Sequence, residues 1–230
     1  MDHATPVDLA ATGSLLQLSA PGKSSGDYIA AMADKIDDIL AANKWAHAFI
    51  RMSIRSPKDA AISSPKFKTI FDKEFAALQD LYGCTPLDSV SFGGADLTSE
   101  MKGHTWLNNL RLIACYRAST YAMAVTNGSD GLELLCKSRR IQGDMQSLLT
   151  GEYVDGFQVC IREYRFFDVC FEFRAFIYKG VMTGLTQYNE LCFFPELARF
   201  KMQIQAKVEA FTARVIAAMN MENMVSHHAQ

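Results

Sequence analysis

Two charged residues set at alternate positions inside a strongly apolar run make residues 171–188, FEFRAFIYKGVMTGLTQY, the stretch that most narrows what this chain can fold into. Side chains of a strand alternate between two faces. Phe171, Phe173, Ala175 and Ile177 therefore take one side, and Glu172, Arg174, Phe176 and Tyr178 take the other. Lys179-Gly180 predicts a two-residue turn between two strands, because glycine adopts positive φ without steric penalty. Counting outward from that turn predicts the pairs Tyr178–Val181, Phe176–Thr183, Arg174–Leu185 and Glu172–Gln187. The hairpin would be apolar near its turn and polar at its far end, where Glu172, Arg174 and Gln187 gather. Such a surface is either a solvated strand face with an ion pair or the floor of a site for a polar ligand.

With 230 residues, 49% of them hydrophobic, the chain can bury one substantial core or two small lobes, and global disorder is excluded. A net charge of -2, from 23 basic and 25 acidic residues, supplies no whole-molecule field for nucleic acid or an anionic membrane. Any phosphate binding must be local. There is no continuous apolar run of membrane-spanning length, and MDHATPVDLAATG lacks the basic and apolar regions of a secretory signal. The expectation is a cytoplasmic protein with neither a membrane nor a nucleic-acid partner. Cys84, Cys115, Cys136, Cys160, Cys170 and Cys192 are scattered without a C-x-x-C pair and read as reduced, mostly buried thiols. No metal site is visible around His47, His104, His227 or His228.

Residues 1–26 are rich in Ser, Ala, Pro and Gly without a period and read as a flexible lead-in. A helix is predicted from Asp27 to about Asn43, with Ser25 or Asp27 as cap and Ile29, Met32, Ile36 and Ile39 on one stripe. A strand follows over residues 46–53. Ser64-Pro65 then starts a helix that Gly83 ends. SFGGADLTSE is a connector or a binding loop before a helix over residues 105–124, with Trp106, Leu110, Ile113 and Ala114 inward. Ser129 is the expected cap of a helix through Leu135, and Ser138 of one through Leu149. Residues 157–164 alternate like a strand, with Gln158, Cys160, Arg162 and Tyr164 sharing a face. Pro195 opens a long helix with Leu197, Phe200, Ile204, Val208, Phe211, Val215 and Met219 on its stripe. The order gives an α+β fold.

The segment IRMSIRSPKDAA, residues 50–61, concentrates three cations and one carboxylate just after a strand. If the strand alternates, Ile50 and Met52 face a core and Arg51 the opposite side. Pro57 disfavours helix at Ser56 and makes SPKDA a turn, whose backbone N–H groups and Lys58 could meet a phosphate. The alternative is an ordinary basic surface turn. Arg51, Arg162 and Arg174 on one concave sheet face would suit a polyphosphate, since guanidinium groups grip phosphate oxygens in pairs.

The motifs IRSPKDA, LNNLRLIACYRASTYAM, GSDGLELLCKSRRIQGDM, IREY, FEFRAFIYKG and LTQYNELCFFPEL occur in an order that resembles the cell division cycle protein 123 family. The resemblance covers roughly Phe49 to Leu197. It implies an ATP-grasp-like fold of two lobes with antiparallel sheets and flanking helices, an ATP bound between the lobes, and a role in assembling eukaryotic translation initiation factor two through one of its subunits. By motif it assigns Arg51 to a phosphate-contacting position where lysine is usual, and Lys58, Asp59 and Ala60 to the proline-containing turn. Arg162, Glu163 and Tyr164 fall beside the adenine, where Arg-Lys-Trp is usual, and Glu172 and Arg174 on the nucleotide-facing strand. Mg2+ is expected from the family, but the strands that carry its acidic ligands have no counterpart before Gln230. The ATP-grasp-like domain over residues 27–230 is therefore expected to be incomplete at its C-terminus. An ATP-dependent carboxylate ligase and a truncated, non-catalytic interaction protein are the alternatives.

Overall fold

The computed structural model describes residues 25–83, 99–150 and 158–219, which form two compact units. The first takes the chain up to Asp72 together with Ala118–Phe166; the second takes Lys73–Arg117 and the chain from Phe167 onward. Each carries helices and a small antiparallel sheet.

In the first unit, helix α1 (Ser25–Asn43) precedes strand β1 (Ala48–Met52), the short helix α2 (Lys58–Ile62) and helix α3 (Pro65–Tyr82), which continues into the second unit. Helix α4 (Ser99–Tyr121) returns to strand β2 (Ala124–Val125), followed by α5 (Gly128–Lys137), α6 (Arg139–Leu149) and β3 (Val159–Glu163). The sheet order is β2-β1-β3, antiparallel throughout. β1 is central and nearly all buried, and Ile50 beneath it joins Ile36, Val125, Leu132 and Leu135 in one core. Each such side chain removed from water contributes roughly 1.5–3 kcal/mol.

Helix starts follow local chemistry. Ser64 Oγ accepts from the Phe67 N–H at 3.2 Å, and Pro65, which lacks an N–H, occupies the first helical position. Gly83, at φ 70°, follows the last turn of α3. Ser138 Oγ accepts from the Ile141 N–H at 3.2 Å and caps α6. The α5 cap is Asn127 rather than Ser129: its Oδ1 accepts from the Asp130 N–H at 2.8 Å. Other expectations also shift. Lys58 to Ala60 of SPKDA form the first turn of α2 rather than an open turn, α4 runs from Ser99 to Tyr121, and Ala124, the last residue predicted for it, instead opens β2. The buried α1 stripe is Ala33, Ile36 and Leu40, while Ile29 is 54% exposed.

α5 lies against both α1 and β1, and glycines make this possible. A Cβ on Gly128 would sit 2.1 Å from the Ala33 carbonyl oxygen, and one on Gly131 would meet the Ile50 Cδ1 at 2.1 Å. The Gly128 N–H donates to Asp37 Oδ1 at 2.7 Å, tying the start of α5 to α1.

The second unit contains the rest of α3 and α4, a 3-10 turn (Val169–Phe171), strands β4 (Phe173–Tyr178) and β5 (Val181–Gln187), and helix α7 (Pro195–Met219). Trp106, Leu110, Ile113 and Ala114 of α4 are buried as their spacing predicts. Asn109 clamps the segment before α7: its Nδ2 donates to the Phe193 carbonyl at 2.9 Å, and its Oδ1 accepts from the Phe193 N–H at 2.7 Å. Lys179 at φ 48° and Gly180 at φ 74° make the predicted two-residue turn.

Beyond that turn the predicted register fails by one residue. Tyr178 pairs with Val181 and Ile177 with Met182, but Phe176 then pairs with Gly184, Arg174 with Thr186 and Phe173 with Gln187. Thr183 is the extra residue of a β-bulge, and its Oγ1 donates to the Phe176 carbonyl at 3.3 Å. Gln187 therefore shares the face of Phe173, away from Arg174. On α7, Phe200 and Phe211 lie exposed and Thr212 is buried, so the apolar stripe is narrower than its spacing predicts. Among the described cysteines only Cys170 is fully buried, and Cys84 lies outside the described residues. Burial, reinforced by the Asp168 carboxylate, pushes the Cys170 thiol up to about 12, and burial, with Cys115 adding, does the same for Cys192.

Gly128→Ala is expected to lower stability by roughly 1–3 kcal/mol, because the clash falls on backbone. Gly143→Ala, in open space within α6, is expected to raise it by about 0.5–1 kcal/mol. Urea midpoints of the two variants measured against wild type check both signs.

Candidate functional site

Two phosphate-suited groups lie on one face of the three-stranded sheet. Arg51 pairs with Cys160 and Phe49 with Arg162, and cross-strand partners share a face. Alternation along β1 adds Phe49 to the side of Arg51, so Arg51, Arg162, Phe49 and Cys160 belong to a single surface. The Arg162 guanidinium lies over the Phe49 ring, 4.8 Å from its centroid. β1 and β3 thus carry two cations on one ladder face, one of them stacked on an aromatic ring. That arrangement is suited to an anion placed between them. Arg51 Nε donates to the Met52 carbonyl at 2.9 Å and its Nη2 to the Ser53 carbonyl at 3.1 Å. These bonds use part of the guanidinium fork and hold its orientation.

Arg174 does not join this sheet. It lies on β4 in the second unit, exposed, with its guanidinium 5.0 Å from the Tyr188 ring centroid. The predicted single sheet of three arginines is thus two separate sheets, since β4 pairs only with β5 among the described residues. Glu172 precedes β4 as the residue closing the 3-10 turn, and its carbonyl accepts from the Tyr188 N–H at 2.8 Å.

Several candidates drawn from the motifs serve the fold. Asp59 faces α6: its carboxylate accepts from Ser138 Oγ at 2.6 Å and from the Arg140 N–H at 3.3 Å. Burial opposes its charge, but these bonds, with those from the Asp59 and Arg139 N–H groups, outweigh burial and hold the carboxyl below its ordinary value of 3.8. The Ala60 methyl is buried in the core, which leaves only its backbone for a ligand. Tyr164 is 8% exposed, donates its hydroxyl to the Thr120 carbonyl at 2.8 Å and packs edge-on to Phe166, so its ring is a core element. Glu163 accepts from Arg165 Nε at 2.9 Å on the surface. Lys58 is half-buried at the start of α2.

Sequence reasoning missed the pair that fixes the basic segment. Arg55 Nε donates to Asp144 Oδ2 at 2.5 Å, and the Asp144 side chain is only 10% exposed. With the Asp59–Ser138 bond, this fastens both ends of the RSPKD stretch to α6. No spacing rule links positions so far apart in sequence. The aromatic under Arg162 was missed as well, because Phe49 meets Arg162 only through the register of β1 with β3.

Among the described residues no group of three or more His, Cys, Asp or Glu side chains is placed to hold a metal ion. No described helix is long and apolar enough to cross a membrane. Comparison of the chain with protein-family models, with curated proteins and with solved structures finds no match in any of the three.

Because the folded Asp59 carboxyl titrates below its unfolded value, its charge contributes stability that is complete above the unfolded pKa of about 4 and is lost as the pH falls through the folded value. Asp59→Asn should therefore be less stable than wild type at neutral pH, with the gap closing in acid; a gap that stays constant across a pH series of urea melts would contradict this. Arg55→Ala, which strands a nearly buried carboxylate, is expected to cost roughly 2–3 kcal/mol in the same assay at pH 7.

Proposed function

We propose that this chain binds a nucleoside triphosphate, ATP, on the sheet face that carries Arg51 and Arg162, within an ATP-grasp-like fold, and that it acts as an assembly chaperone for translation initiation factor two. The observation that carries the nucleotide part is the β1–β3 register, which sets the two guanidinium groups on one face beside Phe49. A triphosphate offers closely spaced anionic oxygens that two guanidinium forks can share, and each charged hydrogen bond is worth roughly 1.5–3 kcal/mol. The chaperone part rests on the ordered motif set from IRSPKDA to LTQYNELCFFPEL. Glu172 and Arg174 enter the reading through their motif alone. The anchoring of Arg55 and Asp59 to α6 supports a rigid rather than a mobile basic segment next to β1.

Calorimetric titration with ATP, in the presence and absence of magnesium, tests the nucleotide part. Arg51→Ala and Arg162→Ala are each expected to weaken binding by roughly tenfold or more while leaving the circular dichroism spectrum unchanged. No binding heat with wild-type protein sinks the nucleotide part. Assembly of the three purified factor subunits, followed with and without this protein, tests the chaperone part; equal rates and yields would overturn it.

A further inference from the structure

We infer that the outer edge of β5 and the flank of α7 beside it form a two-fold interface between two copies of this chain. A cleft of 530 Å³ runs along β5 from Met182 to Gln187 and is walled on its other side by Lys201, Ile204, Gln205 and Glu209 of α7. The Tyr188 N–H bond to the Glu172 carbonyl marks a hydrogen-bonded pair. In an antiparallel ladder such pairs alternate, so Thr186 with Arg174 and Gly184 with Phe176 face inward. Leu185 and Gln187 consequently turn their backbone N–H and C=O groups toward the outer edge, where the Gln187 carbonyl also accepts from Thr186 Oγ1 at 3.2 Å. Among the described residues no strand pairs with that edge, and an unpaired edge is a template for another strand.

The charges beside the edge indicate which strand it suits. α7 runs antiparallel to β5: Thr212 Oγ1 lies 3.7 Å from Met182 Sδ, and a Cβ on Gly180 at the turn would lie 3.9 Å from Ile216. From the Met182–Thr212 contact, Leu185 lies about 10 Å along the strand and Gln205 about 10 Å along the helix, so the two are level. Lys201 and Glu209 stand four residues to either side of Gln205, each about 6 Å from it along the axis. Gln205 Nε2 donates to Glu209 Oε1 at 2.8 Å and steadies the carboxylate. A two-fold axis through the level of Leu185 and Gln205 would pair β5 antiparallel with its own copy. The same axis sets each Lys201 opposite the other copy's Glu209, because such an interface brings residue i against j and j against i. The result is a continuous four-stranded sheet with two opposite-charge pairs on its helical side. An unrelated extended peptide would need no such symmetric spacing of a cation and an anion.

The interface does not use the face of Arg51 and Arg162, which lies in the first unit, and its test uses different variants. Sedimentation equilibrium over a concentration series is expected to show a dimer of the wild-type chain. Lys201→Glu alone, or Glu209→Lys alone, makes both charge pairs repulsive and should weaken dimerisation roughly tenfold. The double exchange, Lys201→Glu with Glu209→Lys, should restore it. Far-ultraviolet circular dichroism of each variant separates loss of the interface from loss of fold. A monomer throughout the concentration range, a dimer indifferent to either single reversal, or a double exchange that fails to restore association would each overturn the proposal.

Discussion

The close approach of α5 to its two neighbours governs the first unit. Gly128 lies against the Ala33 carbonyl of α1, and Gly131 lies over the Ile50 side chain of β1, one helical turn apart. Side chains at these two positions would push α1 and the sheet away from α5. Ala33, Ile36, Leu40 and Ile50 would then lose the packing that buries them. Since β1 is the centre of its sheet and carries Arg51, the position of the candidate phosphate face follows from two missing methyl groups on a neighbouring helix. The bond from the Gly128 N–H to Asp37 closes the same junction with a polar contact.

In the second unit the corresponding constraint is polar. Asn109, buried on α4, makes both hydrogen bonds of its amide to the backbone of Phe193. Asn189 and Gln187 each donate to the Val169 carbonyl. These bonds satisfy backbone groups in the irregular segments on either side of the hairpin, which have no ladder to satisfy them. They hold both ends of β4–β5 and set where α7 starts. The bulge at Thr183 then decides which side chains face α7, because one added residue exchanges the two faces of a strand.

The motif residues divide by what the fold asks of them. Asp59, Ala60 and Tyr164 are engaged in capping and packing, and Arg55 neutralises Asp144. Arg51 and Arg162 keep guanidinium groups on a sheet face, and Arg174 remains exposed beside Tyr188. A segment can thus read as ligand-binding in sequence while half of its polar groups are used within the chain. Chemistry at a site depends on the groups left over once internal hydrogen bonds and ion pairs are satisfied.

Local interactions were legible in the sequence. Ser64-Pro65 and Ser138 start their helices, Lys179-Gly180 turns the hairpin, and the Trp106, Leu110, Ile113 spacing marks a buried face; each depends on neighbours within four residues. That Arg51 points away from Ile50 and Met52 also followed from alternation along one short strand, but that Arg162 shares its face depends on the pairing of β1 with β3. What only the tertiary structure decided depends on contacts between distant positions: β2 is two residues long and exists because β1 lies beside it, and Asp59 and Asp144 find partners some 80 to 90 residues away. Alternation specified the faces of β4 and β5 separately. Their mutual register needed the bulge at Thr183, whose cost and compensation come from packing across the hairpin and against α7, a quantity that no local pattern of side chains contains.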